Sequence, residues 1–68
     1  MDQQTIIAEL ETRAKALGRS MLYVCEQAGV HPTTFSRWKL SDQNQSPMDA
    51  KVGSLSKITE VLDRLEAA

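Results

Sequence analysis

Residues 20–40 read SMLYVCEQAGVHPTTFSRWKL, and this stretch decides the fold. Ser20 is a good helix N-cap, because its hydroxyl can accept an otherwise unpaired backbone N–H. Leu22, Val24, Cys25 and Ala28 then supply the apolar positions of a helix over about 21–28. Gly29 ends it, at a position expected to have positive φ, which glycine tolerates without steric cost. A second helix starts at Pro32, since proline suits a first helical position whose N–H would be unpaired anyway. His31 is the N-cap by position. A residue before proline prefers extended backbone, as a cap requires, although imidazole is a weak capping group. This helix is expected to run through Phe35 and Trp38 to Lys39 or Leu40.

The pattern is more specific than two helices and a turn. With Met21 as the first position of a 20-residue unit, Val24, Ala28, Val30, Phe35 and Trp38 occupy the buried slots. Cys25 falls where the two helices come closest, and a bulky side chain there would force them apart. A β-carbon at position 29 would oppose positive φ, and Val30 plugs the elbow. Helices that cross steeply after so short a turn leave the second one protruding. A protruding helix fits a major groove roughly 12 Å wide.

Outward from this unit the chain reads as helical. Ile6, Leu10, Ala14 and Leu17 give a helix over about 3–17, with Ile7 at the edge of the stripe, Asp2 as N-cap and Gly18 as the stop. Residues 41–53, SDQNQSPMDAKVG, are polar and rich in turn formers, so a loop is expected, with a short helical turn around 47–51. Ser54 caps a last helix over 55–66, where Leu55, Ile58, Val61, Leu62 and Leu65 share one face. The expectation is an all-α, compact bundle of four short helices, or five, containing a helix-turn-helix and forming one domain over residues 1–68.

The quoted stretch, together with SLSKITEVLDRL at 54–65, resembles the lambda repressor/Cro (XRE-like) family of helix-turn-helix domains, found in phage and prophage regulators. The likeness covers most of the chain. It implies sequence-specific binding of double-stranded DNA by a transcriptional regulator, a repressor being the usual kind. Carried over by position, it implies base contacts from Pro32, Thr33, Ser36 and Arg37, with Leu40 at the far end of the helix. Arg37 is the strongest of these, since a guanidinium can bond guanine O6 and N7 together. Thr33 offers a hydroxyl and a methyl to base edges. Thr34 is expected on a phosphate or on its own helix backbone. Phosphate anchoring is expected near the start of the first motif helix, from Arg19, Ser20, Met21 and Tyr23, where free N–H groups and the helix dipole favour an anion. Lys39, Ser41 and Asn44 could clamp phosphates beyond the second.

Composition frames this reading. The chain has 68 residues, 41% of them hydrophobic, which allows one modest core and no catalytic cleft with a scaffold behind it. No nucleophile–base pair, phosphate-cradling glycine loop or metal-ligand spacing is seen, so no enzyme, cofactor, metal or small-molecule substrate is expected. No apolar run is long enough for a bilayer, and no secretion leader is seen. A lone cysteine, Cys25, fits a reducing cytoplasm and a packed core position better than a reactive thiol. Trp38 is likewise expected in the core, and His31 in the turn.

The net charge of −1 argues mildly against nucleic acid, but its distribution matters more. From 13 to 39, five basic residues (Arg13, Lys15, Arg19, Arg37, Lys39) stand against Glu26 alone, a local charge of +4. The remaining three basic and eight acidic residues give −5. A basic middle could face a polyanion while acidic ends keep the protein soluble. The last helix has no second apolar stripe, so any homodimer is expected to be weak or to form on DNA. A different class of function is a protein-interaction module on the same helix pair. It is favoured by the acidic total and by Pro32 and Met21, which cannot donate side-chain hydrogen bonds. A third is a small structural bundle within a larger assembly.

Overall fold

A computed structural model describes residues 2–68. Four helices follow in chain order: α1 Gln3–Ala16, α2 Met21–Ala28, α3 Pro32–Trp38 and α4 Val52–Ala67. The described residues form an all-helical bundle. α2 lies against α1, α3 and α4, and α4 also packs on α1.

Each of the first three helices starts on a side-chain cap. Asp2 accepts the Thr5 N–H at 2.8 Å and Ser20 Oγ accepts the Tyr23 N–H at 3.1 Å. The Thr5 N–H also holds the exposed Asp2 carboxyl below the ordinary carboxylate range. The support is therefore present above that range and fades as acidification protonates the group. At α3 the weak cap is used after all: His31 Nδ1 accepts the Thr33 N–H at 3.1 Å, with His31 extended (φ −66°, ψ 134°) ahead of Pro32.

Two glycines stop helices by turning left-handed, Gly18 at φ 70° and Gly29 at φ 75°. Past Gly29 the chain folds back so that the Val30 N–H reaches the Cys25 carbonyl at 2.8 Å and the Gly29 N–H reaches that of Glu26 at 3.2 Å. Carbonyls left open by the helix end are thus paired within the turn.

The core contains every buried slot read from the motif: Val24, Cys25, Ala28, Val30, Phe35 and Trp38. Phe35 and Trp38 meet edge to face, with ring centroids 5.7 Å apart. α1 adds Ile7, Leu10 and Ala14, and α4 adds Ile58, Val61 and Leu62. Leu55 and Leu65 flank the α4 face half-buried.

Four expectations need correction. Ile7, placed at the edge of the α1 stripe, is in the core, and Ile6 and Leu17 only pack against it. Adjacent isoleucines fit helical periodicity in either phase, and only the packing partner decides. Leu22, counted among the apolar positions of its helix, is 54% exposed. α4 begins three residues early, with Lys51 at the N-cap and no side-chain cap, so Ser54 lies inside the helix. Finally, no helical turn forms at 47–51. The Met48 N–H pairs with the Arg37 carbonyl (2.8 Å), the Met48 carbonyl with Gln3 (2.8 Å) and the Ala50 N–H with Gln3 (2.7 Å). These long-range bonds take groups a local turn would have used and fix where α4 begins.

The left-handed turn yields a prediction. Nothing lies within 4 Å of a β-carbon built at Gly29, so the cost of substitution there is conformational rather than steric. Gly29→Ala should destabilise the fold by about 1–2 kcal/mol in a denaturant titration, the cost of holding an L-residue left-handed. A loss below about 0.3 kcal/mol would mean that the turn does not need positive φ.

Candidate nucleic-acid interface

α3 is buried along Phe35 and Trp38 and exposed along Thr33, Ser36 and Arg37. Positions 33 and 37 are one helical turn apart, and 36 lies beside 37, so the three form one continuous strip. Two shallow depressions flank it and share Ser36. One is lined by Thr33, Ser36 and Arg37 with Ser41, Gln43 and Asn44. The other runs between α3 and the start of α2, where Pro32, Ser36 and Lys39 face Met21, Leu22 and Glu11. Every residue lining the first is polar. The second sets half-buried Pro32 and Met21 and the exposed Leu22 beside the Glu11–Lys39 ion pair.

The structure therefore brings three of the four expected base-reading residues together and leaves Pro32 half-buried at the strip's other edge. Thr34 is half-buried, while Leu40 is 57% exposed past the helix end. At the start of α2, Ser20 Oγ caps Tyr23, and the N–H groups of Met21 and Leu22, the first two of the helix, have no partner within it. Arg19 is exposed, its guanidinium carbon 5.2 Å from the centroid of the Tyr23 ring. Tyr23 itself leans toward α4, beside Gln27, Val61, Arg64 and Leu65.

Two expected phosphate clamps are otherwise engaged. The Asn44 amide donates to the carbonyls of Arg37 at 3.0 Å and Lys39 at 2.9 Å, with a longer contact to Ser36 at 3.5 Å. Its N–H groups close the end of α3 and are not free for an anion. Lys39 Nζ is paired with Glu11 Oε2 at 2.8 Å. Ser41 remains exposed, its backbone bridged to Asn44 in both directions at 3.0 Å, which folds 41–44 into a tight turn.

The pairing of Lys39 belongs to a broader correction of the charge reading. Arg13 is also held, by Asp63 at 2.6 Å and Glu66 at 2.8 Å. Of the five basic residues counted in the middle of the chain, two therefore face carboxylates of their own fold. Lys15, Arg19 and Arg37 are exposed and form no ion pair among the described residues. A charge count along the sequence could not show this, because both pairings join residues far apart in the chain.

Gln43 is the residue that the sequence left unnoticed. It stands exposed at the tip of the 41–44 turn and lines the same hollow as Arg37. Cys25 is buried, and burial pushes its thiol up to about 11, which keeps it protonated and inert at neutral pH. No protein-family model, curated protein or solved structure matches the chain.

The Lys39–Glu11 pair can be tested without any specific ligand. Glu11→Gln should free the ammonium, so the variant should elute from heparin at higher salt than the parent. It should also elute later than Glu9→Gln, which changes the net charge equally but releases nothing. Equal elution of the two variants would mean that Lys39 is already available in solution.

Proposed function

We propose that this chain is a sequence-specific double-stranded DNA-binding regulator of the lambda repressor/Cro type, acting in the cytoplasm. It reads the major groove with Thr33, Ser36 and Arg37. The observation that carries this reading is the exposure of those three side chains along one edge of α3, while Phe35 and Trp38 lock its other edge into the core. A helix held on one side and bare on the other can enter a groove. Arg37 supplies the bidentate donor for guanine, Thr33 and Ser36 supply hydroxyls, and Arg19 with the start of α2 approaches the phosphate backbone. Pairing of Arg13 and Lys39 leaves modest non-specific attraction, so discrimination rests more on base contacts than on charge. Half-sites about 34 Å apart would be filled by a homodimer that forms weakly or on the DNA. No helix is long and apolar enough to cross a membrane among the described residues.

One observation favours a second reading, a protein-interaction module on the same scaffold. The hollow beside α3 brings Met21, Leu22 and Pro32 together next to the Glu11–Lys39 pair, an apolar patch that a phosphate backbone would not use.

Selection of bound sequences from random duplex DNA separates the two. The DNA reading predicts a preferred site, and Arg37→Ala should lose preference at one base position, a discrimination worth about 1–3 kcal/mol. If Arg37→Ala weakens all sequences alike, Arg37 only grips a phosphate. If the parent selects no sequence, the DNA reading is wrong.

A further inference from the structure

The first turn of α1 is wired to the end of α3 by side-chain amides. Gln4 Nε2 donates to the Trp38 carbonyl at 2.7 Å, and Gln4 Oε1 accepts the Leu40 N–H at 3.0 Å. Gln3 Nε2 donates to the same Trp38 carbonyl at 3.1 Å and to the Met48 carbonyl at 2.8 Å, while its Oε1 accepts the Ala50 N–H at 2.7 Å. Both amides thus use both of their ends. Together they grip the chain at 38, 40, 48 and 50, on either side of the 41–44 turn. That turn is held to α3 in its own right, by Asn44 on the Arg37 and Lys39 carbonyls.

α3 has only seven residues, too few to hold its own end by internal bonds. Its last carbonyls need outside donors, and a helix end without them frays. Most of the donors here are side chains from other parts of the chain, two of them from α1. Arg37 lies in that last turn and shares its hollow with Gln43 of the gripped loop.

We propose that Gln3 and Gln4 are positioning residues for the reading surface: they set the pitch of the α3 exit, and so place Arg37 and the 41–44 turn as one rigid face. Neither side chain touches the ligand. The role rests on the DNA reading for its consequence, but not for its geometry.

The test uses the full chain carrying Gln3→Met and Gln4→Met, which keep side-chain length and remove both donors and acceptors. Nitrogen-15 NMR of the free protein comes first. The backbone amides of Arg37, Leu40, Gln43 and Ala50 should shift and exchange faster with solvent, while Val24, Ile58 and Leu62 keep the positions of the parent. Unmoved amides at 37–50 would overturn the proposal whether or not DNA binds. Sequence selection then reads the consequence. The variant should bind the parent's preferred site about tenfold more weakly, with preference blurred at the Arg37 base, while low-salt binding to mixed DNA stays within about twofold. Restoring Gln4 alone should recover most of the preference. A variant that keeps the parent's site and affinity would overturn the positioning role. A parent that selects no site would instead count against the DNA reading, and the NMR result would still decide the geometry.

Discussion

The structure depends on the joint between α2 and α3. Cys25 is buried in the core and borders Pro32 and Phe35 of α3, so a larger side chain would crowd the two helices. Gly29 adopts φ 75°, which lets Val30 fold back under the elbow and pair with the Cys25 carbonyl. Phe35 and Trp38 can then reach the core that α1 and α4 complete. α3 is fixed by two aromatic anchors on one side, and its other side is left exposed at Thr33, Ser36 and Arg37.

Such a short α3 cannot be stable by itself. Its start is held by His31 and Pro32, its flank by the core, and its end by amides from residues 3, 4 and 44. The loop after it is pinned rather than slack, through the Arg37–Met48 backbone bond and the Ser41–Asn44 bridge. α3 and the turn after it, each held by several hydrogen bonds, meet in one hollow. The neighbouring hollow at Met21, Leu22 and Pro32 is the part of this surface that the proposed DNA reading does not use.

How much was legible in the sequence follows from which forces leave a periodic trace. Apolar burial does: Val24, Ala28, Val30, Phe35 and Trp38 could be placed because side-chain size and helical spacing together admit one arrangement. Turn chemistry does too, at Gly18, Gly29 and Pro32. Polar pairing between distant segments leaves none. Nothing in the first residues announced that Gln3 and Gln4 would grip residues 38–50, or that α4 would start at Val52 rather than Leu55. Nor could charge counting show that Glu11 holds Lys39 while Asp63 and Glu66 hold Arg13. Which side of α3 lies exposed was readable from sequence, whereas the ion pairs and the bracing around it were not.

The bare side of α3 is where we propose that this protein meets its ligand. An NMR titration of the labelled chain with a mixed-sequence DNA duplex at low salt tests it most directly. The largest shifts should fall on Thr33, Ser36, Arg37 and the 41–44 turn, with a smaller set at Arg19–Leu22. Shifts centred on the outer face of α1 and α4, or none at all, would contradict it.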